Sequence, residues 1–249
     1  MEKKVSYLLK IALGALSLLV FDFTQATYGQ DSNLKLITRQ LEKALNRKDN
    51  SIFEELFENE KASDLKQQFN YFSIMFPNSK WKIKPAANSS PEDRLIEISV
   101  NSENRVGTGK YTLSASQLIA IRLNKRKIKD HNIISQYSIL NTTKNQLNIT
   151  INVPSKVEVG EIYNIDLILD KPLGENIVAG GLIKSSPNNY PYIINQSIPL
   201  LPLRTGGLFK SIEAPKESGS QVIAAIIAHP NGWISFKKTI QIVDKINSK

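Results

Sequence analysis

From Leu34 onward apolar residues recur every three or four positions. Leu34, Ile37, Leu41 and Leu45 therefore share one side of a helix of about four turns. The period breaks at Asp49-Asn50. Ser51-Ile52-Phe53-Glu54 then has the Ser-x-x-Glu form of a capping box, in which each side chain satisfies a free amide of the new helix. Phe53, Leu56 and Phe57 supply that short helix with its buried side. A third helix is expected from Ser63-Asp64, carrying Leu65, Phe69, Phe72 and Met75 inward and stopping at Pro77.

From Trp81 the period changes to two. Ile96, Ile98 and Val100 alternate with Leu95, Glu97 and Ser99, which gives a strand with one strongly apolar face. Gln117–Leu123 and Ile128–Ile139 read as further strands, joined through a turn at Asn124-Lys125-Arg126-Lys127. Helices first and strands afterwards define an α+β domain, with three helices packed on a curved antiparallel sheet.

The pattern beyond residue 145 is strand throughout. Leu147, Ile149, Ile151 and Val153 alternate, as do Tyr163, Ile165, Leu167 and Leu169. Further strands are expected at Ile177–Lys184, Tyr192–Ile198, Gly207–Ile212, Gln221–His229 and Trp233–Val243. Turn-forming residues separate them, including Pro154, Pro172-Leu173-Gly174, Pro187-Asn188-Asn189, Gly206-Gly207 and Pro230-Asn231-Gly232. Short strands at this spacing predict an all-β sandwich domain. The polar joint Asn141-Thr142-Thr143-Lys144-Asn145 marks the boundary, so the expected organisation is 1–29, 30–140, a linker at 141–145, and 146–249.

Residues 1–29 carry the three parts of a secretory signal peptide. Lys3, Lys4 and Lys10 form a positive start, Ile11 to Phe21 an apolar run, and Asp22 to Gly29 a polar tail with small residues. Eleven apolar residues fall well short of the roughly 20 that span a bilayer. Cleavage is expected after Ala26 or Gly29. The expected destination is an exported one: periplasm, internal lumen or extracellular space. No later stretch approaches membrane length, so no span is expected after cleavage.

Composition narrows the chemistry. The 249 residues include no cysteine and two histidines, His131 and His229. A disulfide scaffold, a thiolate metal site and a catalytic cysteine are excluded, and no metal site or cofactor is expected. Gly107-Thr108-Gly109-Lys110 lacks both the Walker spacing and a following helix, and reads as a turn. There is no Gly-x-Ser-x-Gly elbow. The net charge is +9. It is dominated by lysine and spread over both halves, unlike the arginine-rich, concentrated surfaces that grip nucleic acid, so no nucleic-acid partner is expected. Glu54, Glu55, Glu58 and Glu60 read as a solvated helix face. The lysines of 125–129 read as a hairpin tip and sheet edge kept soluble.

The order of elements, together with the segment LEKALNRKDNSIFEELF and the closing YTLSASQLIAIRLNKRKIKDHNIISQYSIL, resembles the nuclear transport factor 2-like superfamily over Leu34–Leu140. The resemblance implies a sheet folded into a cone around a pocket that the N-terminal helices close. That superfamily holds isomerases, dehydratases and cyclases beside non-catalytic binding and assembly modules, so it transfers a fold rather than an activity. In its catalytic members the cavity holds an Asp, His or Tyr acting on a small apolar substrate. The corresponding candidates here are Asp130 and His131, with Tyr71, Trp81, Tyr111 and Tyr137 as pocket linings. Adjacent strand residues point to opposite faces, so only one of Asp130 and His131 turns inward unless a bulge intervenes. The second half resembles immunoglobulin-like or fibronectin type III-like modules. Within it, Trp233 beside a loop is the candidate for stacking a sugar ring. The expected function is that of an exported, non-catalytic binding or assembly protein, whose partner is a protein, a glycan or a small apolar ligand. A homodimer through the first-domain sheet is the expected self-association. The alternatives are an isomerase- or dehydratase-like enzyme using the cone, and a cell-wall or glycan-binding module using the sandwich.

Overall fold

A computed structural model of the chain describes residues 31–87, 94–106, 109–124, 126–142, 147–170, 177–185, 197–203 and 206–245. The signal-peptide segment, most of the 141–145 joint and most of the expected 192–198 strand lie outside these residues. So do Gly107-Thr108 and the turns at 172–174 and 187–189.

Helix α1 (Asp31–Asn46) buries Leu34, Ile37, Leu41 and Leu45, the stripe its 3.6 period lays along one side. Helix α2 (Ile52–Leu56) follows after Lys48, the one non-glycine with positive φ among the described residues. The expected capping box does not form. Ser51 is itself helical rather than extended, as a cap would be, and its hydroxyl donates to Asp49 Oδ1 at 2.6 Å while making no cap bond to a helix amide. Helix α3 (Asn59–Met75) begins four residues earlier than Ser63 and ends two residues before Pro77. It buries Leu65, Phe69 and Phe72, whereas Met75 is only half-buried and Phe76 takes the inward place.

Four strands follow: β1 (Lys80–Pro85), β2 (Arg94–Val106), β3 (Gly109–Asn124) and β4 (Lys127–Asn141). The helices pack on the face carrying Trp81, Ile83, Ile96, Ile98, Ile119, Ile121, Leu123 and Ile128. Each large side chain so buried contributes about 1.5–3 kcal/mol. The α2 layer is also clipped to the β3–β4 turn. Lys127 Nζ donates to the Glu54 carbonyl at 3.0 Å, and Asn124 Nδ2 donates to Glu58 Oε1 at 3.2 Å. This part of the basic hairpin and of the acidic cluster is therefore bound up in the fold rather than simply solvated. The Glu60 side chain lies outside the described residues.

Strand β1 is a sheet edge, with a row of outward backbone groups that would template another strand. Helix α1 occupies them. Asn46 accepts from the Trp81 N–H at 2.9 Å and donates to the Trp81 carbonyl at 2.8 Å, and Glu42 Oε2 accepts from the Ile83 N–H at 2.7 Å. Two side chains one helical turn apart thus read alternate residues of the strand.

The remaining strands are β5 (Ile149–Asn152), β6 (Lys156–Glu158), β7 (Ile162–Leu169), β8 (Ala179–Lys184), β9 (Leu201–Pro202), β10 (Gly207–Glu213), β11 (Gly219–His229) and β12 (Gly232–Val243). Strands β10, β7 and β5 form one antiparallel sheet. Inward residues Tyr163, Ile165, Leu167 and Leu169 of β7 share a core with Ile223, Ala225 and Ile227 of β11 and with Ile234, Phe236, Ile240 and Ile242 of β12. A Cβ on Gly181 would lie 2.1 Å from the Pro199 carbonyl oxygen, so only glycine lets that segment pass so close to β8.

The chain divides into two compact units, 1–104 with 113–136 and 105–112 with 137–249. The division falls within β4, not at a linker after it. Tyr137–Asn141 of β4 pair antiparallel with Lys238–Ile234 of β12, and the larger sheet runs β1-β2-β3-β4-β12-β11-β8-β9, with β6 on β12. The expectation of an α+β domain followed by a separate all-β domain is corrected accordingly. Among the described residues three helices precede the sheets, and one sheet contains early and late strands alike, because β4 is long enough to pair in both stretches.

Replacing Asn46 with Ala removes both bonds to Trp81 and reopens part of the β1 edge. Urea denaturation should show a loss of about 1 kcal/mol, and light scattering after heating should show more association than in the wild type.

Candidate functional site

The first unit contains a partly open cavity of ≈ 80 Å³ between its helices and sheet. The pattern that builds the core also builds its walls. Leu41 and Leu45 come from α1, Phe53 from α2, and Leu65, Phe69 and Phe72 from α3. Trp81, Ile96, Ile98, Ile119, Ile121 and Ile128 come from the strands. The rings are held in a connected series. Phe53 meets Phe69 edge-on at 5.6 Å, Phe69 lies 6.2 Å from Trp81, and Trp81 lies 5.0 Å from Phe72. Such offset aromatic contacts are each worth about 0.5–1.5 kcal/mol beyond the area they bury.

Three polar side chains break this apolar lining: Gln68 of α3, Gln117 of β3 and His131 of β4. Gln117 is 3% exposed and its Nε2 donor has no hydrogen-bond partner; Gln68 Oε1 is likewise buried without a donor. A buried amide group left unsatisfied costs about 1–3 kcal/mol. The His131 imidazole, 5% exposed, stands edge-on to Phe57 with centroids 6.2 Å apart and planes at 87°.

His131 reaches this wall through a change of parity in β4. Ile128 and His131 are three apart, an odd spacing, yet both line the cavity. A regular strand would put them on opposite faces, so the alternation of β4 is interrupted between them. Asp130 sits at that irregularity, with its Oδ1 accepting the His131 backbone N–H at 2.9 Å and pairing with Lys61 Nζ at 2.6 Å. Burial pushes its carboxyl pKa up, but the Lys61 ammonium and the His131 amide outweigh this and hold it below the usual range. Asp130 is thus committed to an ion pair between β4 and α3, and it is absent from the cavity lining.

Of the other candidates, only Trp81 lines the cavity. Tyr71 is 49% exposed on α3. Tyr111 lies on β3 in the stretch grouped with the second unit, its hydroxyl pKa raised by burial. Tyr137 packs edge-on against Phe236 at 5.8 Å beside the second unit's core, and burial raises its pKa too. Trp233 is half-buried at the start of β12, where its backbone N–H donates to Thr142 Oγ1 at 3.0 Å and its carbonyl accepts from the Thr142 N–H at 3.0 Å. His229 serves a turn, its Nδ1 accepting the Asn231 N–H at 3.1 Å. The described lining includes no carboxylate, lysine, arginine or tyrosine.

Gln68 and Gln117 were not among the expected site residues, although the sequence marks both. Leu65, Gln68, Phe69 and Phe72 follow the spacing of one helical stripe, and Ala115, Gln117, Ile119 and Ile121 alternate along one strand face. In each run the glutamine is the polar residue at an inward position.

Among the described residues no group of three His, Cys, Asp or Glu side chains could hold a metal ion, and no helix is long and apolar enough to cross a membrane. A protein-family model described as a domain of unknown function (DUF8623) matches residues 144–243. That stretch falls within the second unit and leaves the cavity outside the match. No curated protein matches the chain.

One further buried titratable group lies in the second unit. Lys237 of β12 is 2% exposed, and burial pushes its pKa down to about 7. Its paired residues on the neighbouring strands, Ala224 and Ser138, are uncharged. The unfolded lysine keeps its proton to about pH 10.4. Between roughly pH 7 and 10 the unfolded chain therefore binds the extra proton, and stability rises with pH across that window. Chemical denaturation at several pH values should show this rise in the wild type. In Lys237→Met the rise should flatten.

Proposed function

We propose that this is an exported binding protein whose first unit takes a small, largely apolar molecule into the cavity beneath its helices. The observation that carries the reading is the pairing of apolar walls with inward amide groups, Gln68 Oε1 and Gln117 Nε2, that the protein itself leaves unsatisfied. Ligand pockets have this composition, mostly hydrophobic and aromatic with a few placed polar groups. The volume sets the scale. It exceeds the roughly 10–15 Å³ that one water needs and falls well short of the roughly 300 Å³ at which pockets for drug-sized ligands begin. Three helices on one face of a four-stranded antiparallel stretch also favour the nuclear transport factor 2-like reading, in which such a pocket is the functional feature. The two layers of the second unit favour an immunoglobulin-like or fibronectin-like module. Export rests on the positive, apolar and polar succession of residues 1–29.

A second reading is favoured by His131 in the cavity wall. It makes the cavity catalytic, as in an isomerase or dehydratase, with the imidazole as general base.

The tests are direct. Toluene or phenol titrated into the full chain should shift the Trp81 indole N–H resonance saturably, assigned against Trp233→Phe. Ile119→Phe, which fills the cavity, should abolish the shift while the fold survives by circular dichroism. No saturable shift with either probe, or a shift unchanged in the filled variant, overturns the binding reading. The catalytic reading requires turnover that disappears in His131→Gln while probe binding persists.

A further inference from the structure

The same cavity says more about what it takes, given that it takes a small molecule at all. Gln68 presents an acceptor that needs a donor, and Gln117 presents a donor that needs an acceptor. A ligand satisfying both carries the two functions together. A hydrocarbon satisfies neither, and an aldehyde or ketone satisfies one. The walls also include Phe53, Phe69 and Trp81, whose edges and faces suit a flat ring. The described lining holds no carboxylate, lysine or arginine, so an ionised ligand would surrender its hydration to apolar walls.

We propose that the cavity selects an uncharged, single-ring molecule whose polar group both donates and accepts a hydrogen bond, the chemistry shared by a phenol and an aromatic primary carboxamide. Gln117, rigid on the inward face of β3, sets the selectivity. Gln68, on the solvent-bordering helix α3, completes it. Sites built around buried hydrogen-bonding groups discriminate by rejecting analogues that leave those groups unpaired.

Isothermal titration calorimetry on the full chain with phenol, benzamide, toluene and benzoate tests this. Phenol or benzamide should bind at least tenfold more tightly than toluene and than benzoate. In Gln117→Leu that advantage over toluene should fall to near unity while toluene affinity is kept or improved. The unliganded variant should melt no lower than the wild type, because an unsatisfied buried amide has been removed. Equal affinities for phenol, benzamide and toluene overturn the selectivity but leave small-molecule binding standing. Benzoate binding tightest overturns the requirement for an uncharged ligand. Absence of binding by all four overturns both this inference and the reading it rests on.

Discussion

The change of parity in β4 is the constraint from which the site follows. A strand sends alternate side chains to opposite faces, so one added residue exchanges the faces of everything after it. Before the change Ile128 lies in the helix-covered core, and after it His131 does. Further along the same strand, Tyr137 and Ile139 pack against the second unit's core. Asp130, left at the irregularity, receives the next backbone amide and is tied to α3 through Lys61. A regular β4 would bring an asparagine, Asn132, or an aspartate, Asp130, to the wall in place of the imidazole. The local backbone therefore decides which titratable group the cavity contains.

Buried polarity is handled in two ways in this protein. In the second unit's core Tyr163 donates its hydroxyl to Gln221 Oε1 at 2.6 Å, a closed pair, and burial pushes the tyrosine pKa up to about 12. That arrangement meets its own hydrogen-bonding needs and fixes β7 against β11. In the cavity wall, Gln68 and Gln117 instead have buried amide atoms without a hydrogen-bond partner. A chain selected only for stability would replace either glutamine with leucine or close the gap. Local destabilisation of this kind clusters at sites that meet an external group.

Much of the fold was legible because its elements obey one period each. The α1 stripe and the β7 face are buried as their spacing implies, whereas in β2 Ile96 and Val100 are buried but Ile98 only partly, and Leu95 of the other face is buried too. The failures have specific causes. Strand β6 is three residues long and β9 two, too short for any period to show. The Ser51 box was a pattern that the backbone defeated, since Ser51 is helical rather than extended and makes no side-chain cap bond. The joint at 141–145 was sought in polar composition, but the division falls inside β4, where Gln136 and Ser138 are buried yet polar and Ile139 is only partly covered. A strand that serves two cores has no composition break to read. For the site, Trp81 and His131 were visible as residue types that pockets use, while Tyr71, Tyr111 and Tyr137 were equally eligible by type and lie elsewhere. What separates them is position rather than residue identity: Tyr71 is on the exposed side of α3, while Tyr111 and Tyr137 lie in stretches grouped with the second unit.

The cavity persists for a reason that also lies in side-chain shape. Apolar walls collapse when flexible side chains can lean into a gap, and the loss of contacts across it favours doing so. Here the long members of the wall are rings braced against one another, Phe53 on Phe57 and Phe69, and Trp81 on Phe69 and Phe72. The opposite wall is largely isoleucine, whose branched carbon leaves it stiff at χ1. Trp81 is further anchored through its own backbone, since Asn46 binds both its N–H and its carbonyl. The device that closes the β1 edge against other strands therefore also fixes the indole that walls the cavity. Edge protection and an open, preorganised pocket are in this sense one arrangement of α1 against β1.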